Sequence, residues 1–182
     1  PTNLKQIQKL TGCVPALSRF ISRLGEKALP LYRLLRHTEH FEWTDAAMPG
    51  LEEIKALLAS NPILAAPNIG EPMLLYIVAT HQVVSAVLVV EQETDRHKFP
   101  LQKPVYYVSI VLTPCRSRYP HYQKIAYAVF MASQKLRHYF QECSITVASE
   151  VPLNDIINNR DATGRIAKWA IELLPFDITY KP

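Results

Sequence analysis

Aspartate and glutamate are missing from a long central part of the sequence. Between Asp95 and Glu142 there is neither residue, although the whole chain has 16 acidic residues. A block without carboxylates creates a local positive field, whereas the net charge of +4 alone is weak evidence for a polyanionic partner. The lysines and arginines of this block are Arg96, Lys98, Lys103, Arg116, Arg118, Lys124, Lys135 and Arg137.

Aromatic residues are interleaved with these cations, and two interpretations of the pattern stay open. In the first, the cations contact phosphates while the aromatic rings stack on bases or pack against sugars. In the second, the rings belong to the hydrophobic core and the cations form a solvated face. The aromatic residues concerned are Tyr106, Tyr107, Tyr119, Tyr122, Tyr127, Tyr139 and Phe140.

Cysteine is scarce, and no apolar run is long enough to span a membrane. Cys13, Cys115 and Cys143 are far apart and odd in number, so they form neither a disulfide framework nor a zinc knuckle, and we expect buried or half-buried thiols. His37 and His40 are the one close histidine pair, but no second pair with ligand spacing follows, and we expect a polar helix end. The first residues lack a secretory signal pattern, so we expect an intracellular protein.

The segment "NPILAAPNIGEP" divides the chain, because its prolines and glycine interrupt all periodicity. Upstream of it, apolar residues recur at spacings of three and four, which predicts helices with Gly12 and Pro30 as punctuation. A last helix follows Thr44 and Asp45, which are candidates for its capping residue. Pro49 and Gly50 fit this helix only in its first turn.

Downstream of the break the apolar period changes from that of a helix to that of a strand. We predict an α/β fold with a mixed sheet, in the order three strands, helix, strand, two helices, strand. The predicted strands are residues 72–78, 83–90, 103–112, 143–149 and 176–181. The predicted helices run from about Tyr122 to Tyr139, over a short stretch opened by Pro152, and through Ile166 to Leu173.

Five consecutive blocks carry a resemblance that spans essentially the whole chain. They are "LTGCVPALSRFISRLGEKALPLYRLLR", "FEWTDAAMPGLEEIKALLASNPIL", "KPVYYVSIVL", "RYPHYQKIAYAVFMASQKLRHYFQ" and "GRIAKWAIELLPFDITYKP". In this order they resemble the polyprotein of gypsy-type LTR retrotransposons, most closely those of grasses and other plants. The resemblance implies that residues 1–66 are the helical end of reverse transcriptase and its connection. It implies an RNase H-like domain, without its C-terminal helix, for residues 67–182.

The active form of that domain degrades the RNA strand of an RNA–DNA hybrid with two divalent metals held by carboxylates. By the resemblance, three of these carboxylate positions fall on Val78, Gln123 and Glu150. Valine cannot bind a metal, and the glutamine amide is a weak, neutral substitute. Glu150 keeps the charge of an aspartate but extends its reach, and misplacement by about 1 Å can lower a rate on the order of a hundredfold.

The pattern therefore predicts a degenerate RNase H copy with no intact catalytic residue and no cofactor. Some plant gypsy-type lineages carry such a copy together with a second RNase H domain downstream, and this chain resembles the degenerate one. It would act as a connection or tether that holds the hybrid beside the reverse transcriptase of the same polyprotein. The expected location is the cytoplasm, a virus-like particle or the nucleus.

If a binding role remains, we expect it around the predicted long helix and the loop before it. A basic face there would meet phosphates with little base specificity. The candidate residues are Arg116, Arg118, His121, Lys124, Lys135 and Arg137.

Two alternatives stay open. The chain could be an active, magnesium-dependent hybrid ribonuclease, in which Glu71 or Asp177 complete a site with Glu150. It could instead be a protein-interaction module built on the same scaffold, or a genomic relic. His81, at the turn of the first hairpin, is expected to face solvent and not to bind a metal.

Overall fold

The computed structural model describes residues 1, 3–35, 41–60, 63–93, 100–159, 161–162 and 164–182. His37, His40, Arg96 and Lys98 lie outside these residues. In the part of the chain that is described, no helix is long and apolar enough to cross a membrane.

Three helices form the first unit: α1 (Leu4–Leu17), α2 (Leu24–Leu34) and α3 (Ala47–Ala59). Their apolar stripes meet in a core of their own, whose fully buried members include Ile7, Ile21, Ala28 and Leu31. The helical prediction is confirmed, but the expected punctuation was wrong, because Gly12 lies within α1 and Pro30 within α2. The apolar spacing continues across both residues, and the burial that it provides outweighs their low helix propensity.

The beginning of α3 follows the prediction in part. Pro49 and Gly50 lie in its first turn, as expected, where the missing proline N–H has no helical partner to lose. Gly50 is also needed for packing, since a Cβ atom there would lie 2.5 Å from the backbone oxygen of Lys27 in α2. The predicted side-chain cap is absent, because Ala46 is the capping residue and Thr44 contributes its backbone oxygen to Ala47 N.

The second unit is a five-stranded mixed sheet in the order β3-β2-β1-β4-β5, which confirms the predicted α/β fold class. β1 pairs antiparallel with β2, and β2 with β3, while β1 and β4, and β4 and β5, are parallel. The strands are β1 (Met73–Ala79), β2 (Val83–Gln92), β3 (Leu101–Val111), β4 (Ile145–Ala148) and β5 (Ile178–Lys181).

In the described part of the chain, five helices accompany the sheet: α4 (Pro114–Ser117), α5 (His121–Lys135), α6 (Arg137–Glu142), α7 (Leu153–Ile157) and α8 (Gly164–Leu173). The long helix predicted from Tyr122 to Tyr139 is in fact α5 and α6. The backbone of Leu136 (φ −112°, ψ 31°) interrupts the helix while its side chain stays 1% exposed. The apolar stripe therefore continues across the break, which is why periodicity alone did not reveal it.

The three cysteines are free thiols, as predicted. Cys143 is buried beside β4, but Cys13 on α1 and Cys115 on α4 are exposed. The expectation that all three would be at least half-buried was therefore wrong for two of them.

The helical unit lies against the face of β2 and β3 that points away from α5. Gly25 N donates a hydrogen bond to Ser109 Oγ at 2.8 Å, and Ser109 Oγ lies 2.8 Å from Ser85 Oγ. A Cβ atom on Gly25 would lie 2.8 Å from that hydroxyl and 2.9 Å from Val83 Cγ1. The absence of a side chain at Gly25 lets α2 approach the sheet.

The outer side of β3 is partly covered, although β3 is an edge strand. Ala65 N donates to the backbone oxygen of Pro104 at 2.8 Å. Tyr107 N donates to the backbone oxygen of Arg19, between α1 and α2, at 3.2 Å. The two contacts fix the connection between α1 and α2 and the segment after α3 along this edge.

Candidate nucleic-acid interface at the carboxyl end of the sheet

The three positions predicted from the metal-ligand pattern meet at one end of the sheet. In the parallel pair, Tyr76 of β1 is level with Ala148 of β4, and Val78 and Glu150 each follow these residues by two positions. His121, the first residue of α5, has its Nε2 atom 2.9 Å from Glu150 Oε1. Gln123 follows two residues further into α5, at the same end of the sheet, whereas the Val78 side chain lies on the opposite face.

The side chains at these positions do not fit a magnesium site. Val78 has no donor atom, and its side chain lines a cavity of about 150 Å³ on the sheet face opposite α5. The amide oxygen of Gln123 accepts a hydrogen bond from Arg165 Nη1 at 3.4 Å, and a Glu150 oxygen is already paired with His121. Among the described residues, no three His, Cys, Asp or Glu side chains are grouped so that they could hold a metal ion.

The acidic residues considered as replacements lie at the other end of the sheet. Glu71 precedes β1, where its carboxylate accepts a hydrogen bond from Asn68 N at 2.7 Å. Asp177 precedes β5, and its backbone oxygen accepts from Ile145 N at the beginning of β4. Since β1, β4 and β5 are parallel, both residues are separated from Glu150 by the length of the strands. They cannot share a metal with Glu150.

Lys124 is buried and stabilises the fold, in contrast to the prediction that it contacts phosphate. The residue is 6% exposed. Its Nζ atom donates to the backbone oxygens of Thr80 and His81 at 3.2 and 2.9 Å. The ammonium group therefore ties the beginning of α5 to the turn between β1 and β2. His81 itself is exposed, as predicted for a residue of the turn.

Arg116 and Arg118 lie beside the beginning of α5, as predicted. Both are exposed, on and just after α4, a short helix that the sequence did not reveal. The Arg116 guanidinium lies 5.0 Å from the ring centroid of Tyr127. Burial raises the pKa of the Tyr127 hydroxyl, and the positive charge of Arg116 partly opposes that rise.

The aromatic residues of the acid-free block mostly form the core. Tyr127 and Phe140 are 3% and 1% exposed, whereas Tyr122 is 40% exposed. Tyr127 packs with Tyr119, Phe130 and Trp169 in a cluster with ring centroids 5.5 to 6.4 Å apart. The cluster lies beneath Arg116. Most of these rings therefore belong to the hydrophobic core, which was the second interpretation of the aromatic pattern.

Arg165 is a site residue that the sequence interpretation missed. It lies at the beginning of α8, and its guanidinium is 4.4 Å from the ring centroid of Tyr119. The hydrogen bond to Gln123 joins α8 to α5 across 42 positions of sequence. No local pattern marks this arginine, because its contacts arise only when the two helices pack.

Lys135 and Arg137 lie apart from the other candidates. α5 rises about 1.5 Å per residue, so its two ends are about 20 Å apart. Lys135 lies at its far end beside a cavity of about 360 Å³ between α1, α2 and β3, and burial lowers its pKa. Arg137 stacks over Phe176 at 6.0 Å. The structure therefore brings together Arg116, Arg118 and His121 and adds Arg165, which together we call the basic end.

Comparison with known proteins agrees with this architecture. The chain resembles the Tf2-3 and Tf2-4 transposon polyproteins of Schizosaccharomyces pombe (strain 972 / ATCC 24843), with 26% identity over 195 residues in each. The match covers the whole chain but only 14% of each relative, so the chain spans about a seventh of their length.

Solved structures of a foamy viral protease-reverse transcriptase have a similar fold. The complex with an RNA/DNA hybrid has a TM-score of 0.75 and 23% identity, over 99% of this chain and 25% of the viral one. The complex with double-stranded DNA has a TM-score of 0.76 and 22% identity, over 100% and 38%. The family model of the RNase H-like domain found in reverse transcriptase matches residues 43–147, and the chain belongs to that family.

Proposed function

We propose that this chain is a degenerate RNase H-like segment of a gypsy-type LTR retrotransposon polyprotein from a plant. It holds an RNA–DNA hybrid beside the reverse transcriptase of the same polyprotein and does not cut it. A second RNase H domain downstream would supply the cleavage. The segment needs no metal cofactor for this role and acts where reverse transcription takes place, in the cytoplasm, a virus-like particle or the nucleus.

One observation carries the proposal: the end of the sheet where the family's carboxylates would meet is occupied by groups that pair with each other. Glu150 is held by His121, Gln123 by Arg165, and Val78 offers no donor. Hydrolysis needs two metals that activate water and stabilise the leaving oxygen. A site without that ligand set can still attract phosphates, because exposed arginines surround it.

The similar viral structures support a nucleic-acid partner without identifying one for this chain. They are complexes with an RNA/DNA hybrid and with double-stranded DNA. An A-form hybrid is recognised mainly by shape and by contacts to phosphates and sugars. The basic end suits such contacts, since Arg116 and Arg165 lie over rings of the aromatic cluster and phosphate contacts need no base-specific geometry.

Charge reversal at the basic end tests the proposal. We expect Arg116→Glu with Arg118→Glu to weaken binding of a labelled RNA–DNA hybrid on the order of tenfold or more and to flatten its salt dependence. Fluorescence anisotropy at several salt concentrations would measure both quantities. Lys124 is left unchanged because its substitution would disturb the fold. Lys5→Glu with Lys9→Glu on exposed positions of α1 makes the matched control.

A cleavage assay separates this function from that of an active nuclease. The purified chain with magnesium should leave the RNA strand of the hybrid intact over hours. Magnesium-dependent cleavage that Glu150→Ala abolishes would contradict the proposal. An unchanged salt slope after charge reversal would show that the basic end does not bind the hybrid.

A protein-binding role has one observation in its favour. Ile171 and Leu174, on and just after α8, are 66% and 76% exposed, and they lie one helical turn apart. Self-association that is insensitive to salt and is lost in Ile171→Asp with Leu174→Asp would support this second candidate. The tether proposal predicts that these substitutions leave hybrid binding unchanged.

A further inference from the structure

The surroundings of Gln123 and Glu150 differ from a metal site, because cationic side chains lie near these positions. Arg165 contacts Gln123, and Lys124 lies beneath the same turn of α5 with its ammonium on the end of β1. Both residues lie near the beginning of α5, where His121 contacts Glu150. The site therefore has fixed positive charge of its own.

The site keeps positive charge without a metal. Lys124 is buried with its ammonium on the backbone oxygens of Thr80 and His81, whereas Arg165 is exposed beside Gln123. Arg165 is therefore the cation that a phosphate of a nucleic-acid strand can reach. The described residues offer no ligand set for the metal ions that would activate water. The site can therefore attract a phosphate but cannot hydrolyse the strand.

Arg165 is exposed, and most of its donors make no hydrogen bond to the described residues. A guanidinium has five N–H groups, and one of them donates to Gln123 Oε1 in a long bond of 3.4 Å. The guanidinium carbon lies 4.4 Å from the centroid of the Tyr119 ring, and Tyr119 packs in turn against Tyr127 and Trp169. Arg165 takes part in none of the ion pairs found in the described ranges. A guanidinium that lies over a packed ring without a carboxylate partner is well suited to a bidentate contact with phosphate.

We propose that Arg165 directly binds a backbone phosphate of the hybrid, beside the positions that the resemblance assigns to the metal ligands of an active relative. The proposal rests on the proposed function and adds a specific point of contact to it. Gln123 orients the guanidinium through its amide oxygen, while its amide nitrogen donates to the Tyr122 hydroxyl at 3.5 Å. Hybrid binding by this chain is then independent of divalent metal.

The test is hybrid binding by the full chain, measured by fluorescence anisotropy with a labelled RNA–DNA duplex in EDTA and again in magnesium. We expect binding in EDTA and no gain of affinity when magnesium is added, since magnesium can only compete as a counterion. Arg165→Gln should weaken binding about tenfold and lower the slope of log affinity against log salt by about one. Arg165→Lys should keep the slope but recover only part of the affinity, since it restores charge without the planar fork.

Two variants make the result specific. Lys55→Gln on α3 removes the same charge from an exposed position and should bind as the unaltered chain does. Tyr119→Leu removes the ring beneath Arg165 and should weaken binding less than Arg165→Gln, with the salt slope kept. Circular dichroism would confirm that each variant is folded.

The outcomes distinguish the two proposals. Hybrid binding that is unaffected by Arg165→Gln but lost after charge reversal at Arg116 and Arg118 would overturn the Arg165 contact and leave the tether function intact. Binding that requires magnesium would also overturn it. A chain that binds no hybrid in either buffer would overturn the proposed function itself.

Discussion

At the scale of single residues, Lys124 shows that a cation in a basic segment can support the fold instead of facing a binding partner. Its charge contributes to the positive field of the acid-free block, yet its ammonium is bound to the backbone oxygens of Thr80 and His81. Hydrogen bonds to charged groups typically contribute about 1.5–3 kcal/mol. Lys124 therefore stabilises the junction of α5 with the first hairpin.

Lys124→Met should lower the free energy of unfolding by about 1–3 kcal/mol, because two backbone oxygens lose a charged donor in a buried place. Urea unfolding followed by circular dichroism would measure the loss. Lys168→Met, at an exposed position of α8, is the matched control and should change stability by less than about 0.5 kcal/mol. Equal stabilities of the two variants would show that the Lys124 hydrogen bonds do not support the fold.

The residues of the candidate site were predictable to different degrees. Val78, Gln123 and Glu150 followed from the resemblance, and they lie near the same end of the sheet, but the Val78 side chain lies on the face opposite α5. Burial of Lys124 could not be foreseen, because apolar periodicity says nothing about a polar residue that enters the core. Arg165 acquires its role from contacts with Tyr119 and Gln123, which are distant in sequence.

At the scale of secondary-structure elements, the close approach of α2 to the sheet depends on Gly25. The Ser109 hydroxyl accepts from Gly25 N and fills the space that a side chain would need. Gly12 offers the contrast, because it lies within α1 with nothing within 4 Å of an added Cβ atom. Substitution by alanine should therefore have opposite effects on stability at the two glycines.

Gly25→Ala should destabilise the chain by about 1–3 kcal/mol, since helix and sheet must separate to admit the methyl group. Gly12→Ala should stabilise it by about 0.5–1 kcal/mol through better helix propensity. Thermal unfolding of both variants would measure the two changes. The sign of the difference between them is decisive: a stabilising Gly25→Ala would mean that α2 does not lie this close to β2 and β3.

The elements themselves were largely predictable. All five strands were expected in the right order, because the two-residue apolar period marks them strongly, and their ends differ by a few residues from those observed. The four-residue helix α4 escaped because it is too short to show a helical period. The break at Leu136 escaped because Leu136 and Phe140 are both buried and continue the stripe.

At the scale of the whole molecule, alkaline pH should destabilise the fold. Burial raises the pKa of Tyr180 on β5 from its ordinary 10.0 to about 12, and burial also raises the pKa of Tyr32 and Tyr127. The folded chain then holds these protons more tightly than the unfolded chain. Their contribution to stability is complete below about pH 10 and is lost as the pH rises toward 12. Burial lowers the pKa of Lys135, so this residue acts in the opposite direction, at pH values below its ordinary pKa of 10.5.

Tyr180→Phe should therefore reduce the fall in the free energy of unfolding between pH 9 and 12. Urea unfolding at several pH values, for the unaltered chain and for the variant, would measure the difference between the two curves. Tyr122→Phe, at an exposed position, serves as control and should follow the unaltered chain. Parallel curves for Tyr180→Phe and the unaltered chain would contradict the role assigned to burial of Tyr180.

The covered edge of β3 has a consequence for how copies of the chain behave toward each other. An edge strand of eleven residues is a template on which a second sheet can grow. Here the backbone oxygen of Arg19 and the N–H of Ala65 already bond to that strand, at Tyr107 and Pro104. The helical unit and the segment that follows it thereby guard the sheet against strand exchange between neighbouring molecules. Where many copies of the chain lie close together, that protection would keep each sheet paired within its own chain.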